Sequence, residues 1–302
     1  MSSNRIIPDF TEDLVSLMVQ MMLTIARFPR APFALIPLSK KRERYLGADV
    51  KIESLAPLYI QFKRSFAYPD SSKAKYLADR KKLGLENSPQ VLYFELRNKR
   101  TGHSDYQHNI LAKLRERLQK RGVGNAVYVA PLFLSRTAYL LSVHYSSLVR
   151  WIFWHLFGVD PFPTTSMNVV GPSGSIRFHN IPLLREHIAI PPQGRVSSHK
   201  HRYSYLESGG QVCFHSPEQV EGAYTLGQSL YNWMGFREGV PSAKLVDYER
   251  SLDLLAELRG EIPTEALRND KLSIWERWVE FGEQLREEHE IEQYVLVKYS
   301  HT

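Results

Sequence analysis

The chain has 302 residues, 43% of them hydrophobic and 24% charged, the balance of a folded globular protein, which excludes wholesale disorder. A single cysteine, Cys213, excludes a disulfide framework and a thiolate zinc cluster and points to a reducing, cytoplasmic setting. The net charge of +7 is uneven: Met1–Lys244 holds 32 basic against 18 acidic residues and Leu245–Thr302 holds 7 against 14, so the basic body suits a polyanionic partner such as nucleic acid.

In chain order, the N-terminal segment MSSNRIIPDFTEDL lacks the charged, apolar and small-residue pattern of a signal peptide, and no export is expected. Asp9–Arg27 reads as a helix, with Leu14, Leu17, Met18, Met21 and Ile25 at buried-face spacing. After the basic run Lys40–Arg44, two strand-like segments at 47–52 and 58–63, joined by Glu53-Ser-Leu-Ala-Pro57, suit a hairpin. A third strand is expected at Val91–Arg97, a helix over Asp105–Arg121, and a strand at Ala126–Ala130 that is apolar on both faces. That order suggests a crossover onto a buried, partly parallel sheet.

Beyond Pro131 a helical stretch from about Thr137 to Phe157 is expected. Its most apolar part, Ser146–Val159, is too short to span a bilayer and contains Arg150 and His155, so no membrane association is expected. Tyr203–Leu206 and Gln211–Phe214 look like a hairpin around Glu207-Ser-Gly-Gly210. The acidic C-terminal third reads as mostly helix from about Ser242 to Glu292. A boundary near Asp160 would divide residues 1–160 from 161–302, and one continuous domain with a helical C-terminal elaboration fits nearly as well.

Chemistry concentrates on the expected hairpin. Ala48, Val50 and Ile52 share one face, as do Leu58, Ile60 and Phe62, leaving Asp49, Gln61 and Lys63 to project from the opposite side of adjacent strands. A carboxylate and an amide oxygen can hold Mg²⁺, and a lysine can orient or deprotonate the attacking water and offset phosphate charge. On helical projection Glu12 points inward, beside Val19 and near Val15 and Met22, whereas Asp13 lies on the solvated arc with Ser16, Gln20 and Thr24.

These residues resemble the PD-(D/E)xK nuclease superfamily. Its acidic residue on the first helix, its Asp on one strand and its (D/E/Q)-x-K on the next correspond to Glu12, to Asp49 in Gly47-Ala-Asp49, and to Gln61-Phe-Lys63. The resemblance spans Glu12 to about Pro131, including Tyr106-Gln-His-Asn-Ile-Leu and Val127-Tyr-Val-Ala-Pro-Leu-Phe133. It implies an α/β fold: a restriction-endonuclease-like mixed sheet flanked by helices. It also implies a Mg²⁺-dependent deoxyribonuclease, with Mn²⁺ as substitute, in prokaryotic defence against foreign DNA. Asp49, Gln61 and Glu12 would hold the metal and Lys63 would assist catalysis. Gln61 departs from the commoner acid, so the alternative is a catalytically inactive nuclease-fold protein that binds nucleic acid or a partner in a defence complex. A homo-oligomer is compatible with either.

Gln107 starts the stripe Gln107, Leu111, Leu114, Leu118, and in the resembling proteins a Gln there sits near the cleft. Ser104-x-x-Gln107 also reads as a capping box. His108 is a weaker phosphate-contact candidate. Lys113, Arg117 and Lys120 follow one another on one helix face, with Arg97, Lys99 and Arg100 just upstream, as candidate contacts to a DNA backbone. The basic run Lys73, Lys75, Arg80, Lys81, Lys82 could grip DNA. His199 and His201 lack a third ligand for zinc, and Cys213 reads as core.

Overall fold

A computed structural model describes residues 5–25, 33–38, 50–69, 74–99, 105–141, 144, 169–171, 174–176, 182–237, 240–241, 243–260 and 272–301. The order is α1 (Glu12–Ile25), β1 (Phe33–Pro37), β2 (Val50–Phe62), β3 (Phe66–Ala67), α2 (Lys75–Lys82), β4 (Val91–Glu95), α3 (Gln107–Arg121), β5 (Asn125–Pro131), β6 (Val169–Gly171), β7 (Gly174–Ile176), α4 (Pro182–Arg185), β8 (His187–Ile190), β9 (Arg202–Leu206), β10 (Cys213–Phe214), β11 (Glu218–Gln219), β12 (Tyr224–Thr225), α5 (Leu226–Met234), β13 (Phe236–Arg237), β14 (Val240–Pro241), β15 (Val246–Asp247), α6 (Ser251–Gly260), α7 (Ile274–His289) and β16 (Glu292–His301). Of the helix expected over 137–157, residues 136–141 are helical and most of the remainder lies outside the described residues.

The larger sheet is mixed, in the order β1-β16-β2-β5-β8-β12, with β15 on an exposed length of β2. β2 and β5 are parallel, so the sheet is partly parallel as expected, but the strand that β5 joins is β2 and not the expected strand at 91–97; the other pairings in this sheet are antiparallel. A second sheet, β11-β10-β9-β4-β3, contains the expected hairpin, with Phe214 opposite Tyr203 and both Gly209 and Gly210 at positive φ in its turn. β4 therefore belongs to this sheet and not to the one carrying β2. One face of the larger sheet packs on α1, α4 and α5, burying Val15, Leu184 and Leu230 against Leu58, Ile60 and Phe62. The other face packs on α3, α6, α7 and the second sheet, burying Leu111, Phe281 and Phe94 with Tyr59 and Tyr128.

Three expectations are corrected. The hairpin over 47–63 is not formed: β2 is one strand that pairs with β16 over nearly its whole length, and Pro57 lies within it. On its other edge β2 changes partner there, from β15 at Leu55 to β5 at Leu58, so a missing N–H on that side interrupts no ladder. The C-terminal region supplies the expected helices at Ser251–Gly260 and Ile274–His289, but its last strand, β16, lies between β1 and β2, and residues on both sides of position 160 share the two sheets. Finally, α1 is turned from its expected orientation: Val15, Val19, Met22 and Leu23 are buried, while Leu17 and Met21 are 51% and 42% exposed. Both arcs of this helix are apolar, so periodicity alone did not choose between them. As projected, Glu12 is half-buried and Asp13 exposed.

Polar groups inside the core are held by specific bonds. Arg80 is fully buried and donates to the Glu86 carbonyl at 2.8 Å, the Gln211 carbonyl at 2.8 Å and Ser204 Oγ at 3.2 Å, so it braces the second sheet and cannot grip DNA. His215 joins the same network, with Nε2 2.9 Å from Ser204 Oγ and Nδ1 3.5 Å from Asp79. This Ser-His-Asp order has no catalytic access, since Ser204 is fully buried beneath Arg80. No described helix is long and apolar enough to cross a membrane.

The turn from α3 into β5 depends on Gly124, at φ +74°, where an added Cβ would lie 2.4 Å from the Pro57 carbonyl oxygen. Gly124→Ala should therefore lower stability by more than about 1 kcal/mol in urea titration. Burial also lowers the pKa of His187 and His215, in each case to about 4. The unfolded chain takes up these protons first, so stability should fall as pH drops from about 6.5 to 4. Thermal melts should show that loss, and His187→Gln should reduce it.

Candidate active site

The Phe62 end of β2 and the residue after it place two polar residues, Gln61 and Lys63, on a face otherwise given to core. Alternation sends Leu58, Ile60 and Phe62 toward α1 and Tyr59, Gln61 and Lys63 toward α3. Gln61 is 1% exposed, and neither its Oε1 nor its Nε2 meets a hydrogen-bond partner among the described residues. An amide left in that condition costs about 1–3 kcal/mol. Lys63 is 2% exposed and continues the ladder through its N–H to the Val129 carbonyl, at 2.8 Å. Its Nζ stands 5.9 Å from the centre of the Tyr128 ring and forms no ion pair among the described residues. Burial lowers its pKa to about 8; the charges of Glu12 and Glu290 oppose the shift, and Arg97 reinforces it.

Four further elements converge on this end of β2. The first turn of α1 brings Glu12, whose Oε1 accepts from the Arg64 N–H at 3.4 Å and whose Oε2 is ion-paired with Arg97 Nη2. Just past β4, Arg97 also reaches Glu290 through Nη1. Glu290 caps α7 in the left-handed conformation, φ 53°, and its N–H closes onto the Arg286 carbonyl at 2.9 Å. From the start of α3, the Gln107 side-chain amide donates to the His289 carbonyl, while its Oε1 is buried with no partner among the described residues. The carboxylates open onto a cleft of about 470 Å³, also lined by Thr11, Phe62, Arg64, Arg286 and Glu292.

Glu12, Lys63 and Gln107 thus lie toward the Phe62 end of β2, with Gln61 on the same strand face as Lys63. Asp49 lies outside the described residues. Its expected contact with Gln61 required the hairpin, whereas Val50 and Gln61 stand at opposite ends of one strand, eleven residues or roughly 36 Å apart. The Asp49–Gln61 metal pair has lost its geometric basis. The capping box at Gln107 is absent too: α3 has Tyr106 at its N-cap with no side-chain cap, and Gln107 turns to His289 instead. His108 is a core residue, bonded to Tyr128 Oη at 2.8 Å and to the Gln193 carbonyl at 2.8 Å.

The expected DNA-facing side of α3 is partly neutralised. Lys113 pairs with Asp105 at 3.0 Å and Lys120 with Glu116 at 2.7 Å, while Arg117 is half-buried. Sequence reasoning missed Glu290, and it took Arg97 for a DNA contact only. The acidic run at 287–290 was visible, but its approach to Glu12 depends on β16 lying beside β2. No group of three or more His, Cys, Asp or Glu suited to a metal occurs among the described residues, so a cation here would rest on two carboxylates and amide oxygens.

The lowered pKa of Lys63 gives a stability test. Between pH 8 and the ordinary value of 10.5 the unfolded chain binds more protons than the folded one. Stability should rise with pH across that window, and the cost of burying the ammonium, on the order of 3 kcal/mol, is fully present below it. Lys63→Met should therefore raise the Tm at pH 7, with the gain disappearing near pH 10.5. Equal melting of the two proteins at pH 7 would contradict a strained, unpaired lysine.

No family model, curated protein or solved structure matches the chain.

Proposed function

We propose that the chain is a divalent-cation-dependent deoxyribonuclease with its active site at the Lys63 end of β2. The observation that carries this reading is the buried Lys63, without an ion pair among the described residues and with its pKa lowered to about 8, within electrostatic reach of Glu12 and Glu290 and on the same strand face as the Gln61 amide, which has no partner among the described residues. Perturbed titratable groups are where catalytic acids and bases concentrate, and Lys63 lies in sequence between Phe62 and Arg64, which line the cleft. Gln61 Oε1 and Gln107 Oε1 are buried acceptors with no partner among the described residues, and oxygen acceptors of this kind suit a hard cation. Glu12, Glu290 and the Gln61 carbonyl would hold Mg²⁺, or Mn²⁺ in its place. Such an ion, when bound, supplies charge neutralisation at the phosphate.

The chain's own residues supply the rest. With a pKa near 8, the Lys63 amine is available to accept a proton from the attacking water. Arg64 and Arg286, on the rim of the same cleft, bind flanking phosphates. The basic body favours a nucleic-acid substrate, and the resemblance to PD-(D/E)xK nucleases favours double-stranded DNA and a role in prokaryotic defence. One observation favours a second reading, an inactive nuclease-fold protein that binds DNA or a defence partner: Arg97 already neutralises both carboxylates.

Nicking of supercoiled plasmid with Mg²⁺, with Mn²⁺ and with EDTA tests the two. The enzyme should cleave with either ion and not with EDTA. Lys63→Ala should reduce the rate about 10²-fold or more, and Glu12→Gln should reduce it severely. The rate should rise with pH and level off above about 8, as the lysine deprotonates. Absence of cleavage with either ion, alongside salt-sensitive DNA binding, would establish the inactive reading.

A further inference from the structure

Arg97 is the cation that joins Glu12 and Glu290. Its two terminal nitrogens go to two carboxylates from opposite ends of the chain, one in the first turn of α1 and one at the C-cap of α7. The Arg97 side chain is 42% exposed, so it can leave toward solvent without disturbing the core. On the adjoining strand, Gln61 and Lys63 are buried on one face, the Gln61 amide with no hydrogen-bond partner and Lys63 with no ion pair among the described residues. The Lys63 ammonium feels all three groups of the bridge, Glu12, Arg97 and Glu290, which places it within their electrostatic reach. A guanidinium spanning two carboxylates neutralises the charge that a divalent cation would need, and a planar fork also matches a phosphate.

We propose that Arg97 is a phosphate-operated latch: its guanidinium holds the Glu12–Glu290 pair closed to divalent cations until a nucleic-acid phosphate draws it away. This rests on the nuclease reading for the identity of the phosphate, while the competition between guanidinium and metal follows from the bridge itself. Metal and DNA affinities are then coupled through one side chain, and coupling of this kind is reciprocal. Bare protein binds metal weakly, which protects against cleavage without engaged substrate.

Calorimetric titration with Mn²⁺ tests this, with and without a cleavage-resistant 12-base-pair phosphorothioate duplex. Arg97→Gln should bind Mn²⁺ about tenfold or more tightly than the wild type in the absence of DNA. Arg97→Lys, which keeps the charge but cannot span both carboxylates, should fall between them. The duplex should tighten Mn²⁺ binding to the wild type and leave Arg97→Gln nearly unchanged. Should Arg97→Gln bind Mn²⁺ no more tightly than the wild type, or respond to duplex as strongly, the latch is wrong, even if plasmid cleavage occurs. If the affinity shift appears but the wild type never cuts plasmid, the latch holds and the nuclease reading fails.

Discussion

Strand β2 is flanked by β16 and β5 and covered on both faces, and this enclosure is the constraint on which the rest of the structure depends. A strand so placed is expected to be apolar throughout. Ile60 and Phe62 obey that rule toward α1, whereas Gln61 and Lys63 break it toward α3. Local consistency between pattern and burial is what makes a sequence foldable, and departures from it concentrate where function is carried. The buried ammonium and unsatisfied amide lower stability, and their neighbours are acids and amides suited to chemistry.

The enclosure also explains how distant segments share one cleft. β16 runs antiparallel to β2, so Glu292 stands opposite Ile60 and the helix preceding β16 ends beside Lys63. α1 packs across β1 and β2 with Val15 and Val19 inward, which brings Glu12 to the Arg64 N–H. α3 leads into β5, the parallel neighbour of β2, so Gln107 and His108 stand above the same strand end. Arg97 then draws the two acids together. Four elements meet there through the pairings of a single strand.

The core around this cluster is rigid where the cluster needs support. His108, stacked on Tyr128 and Phe214 and bonded to the Gln193 and Gly194 carbonyls, fixes the first turn of α3. Ser65 ties the chain just past Lys63 to the Pro131 carbonyl and to Tyr205, linking the two sheets next to the site. Arg97, by contrast, is held among the described residues by two ion pairs at a partly exposed position.

The sequence by itself determined many of the local elements and which side chains share a face. Alternation placed Gln61 and Lys63 on one face, helical projection separated Glu12 from Asp13, and Gly209 and Gly210 marked the β9–β10 turn, because each depends on neighbours a few residues away. Tertiary structure decided the strand partners. A proline within a strand reads locally as a turn, yet Pro57 is tolerated where β2 changes neighbours, and this removed the hairpin meant to bring Asp49 to Gln61. It also chose between two equally apolar arcs of α1, and it placed β16 in the middle of the sheet, where an acidic C-terminal composition suggested an added helical region. The pairing of Glu12 with Glu290 through Arg97 was invisible for the same reason: contacts between residues 278 positions apart are set by sheet order, which local periodicity does not encode.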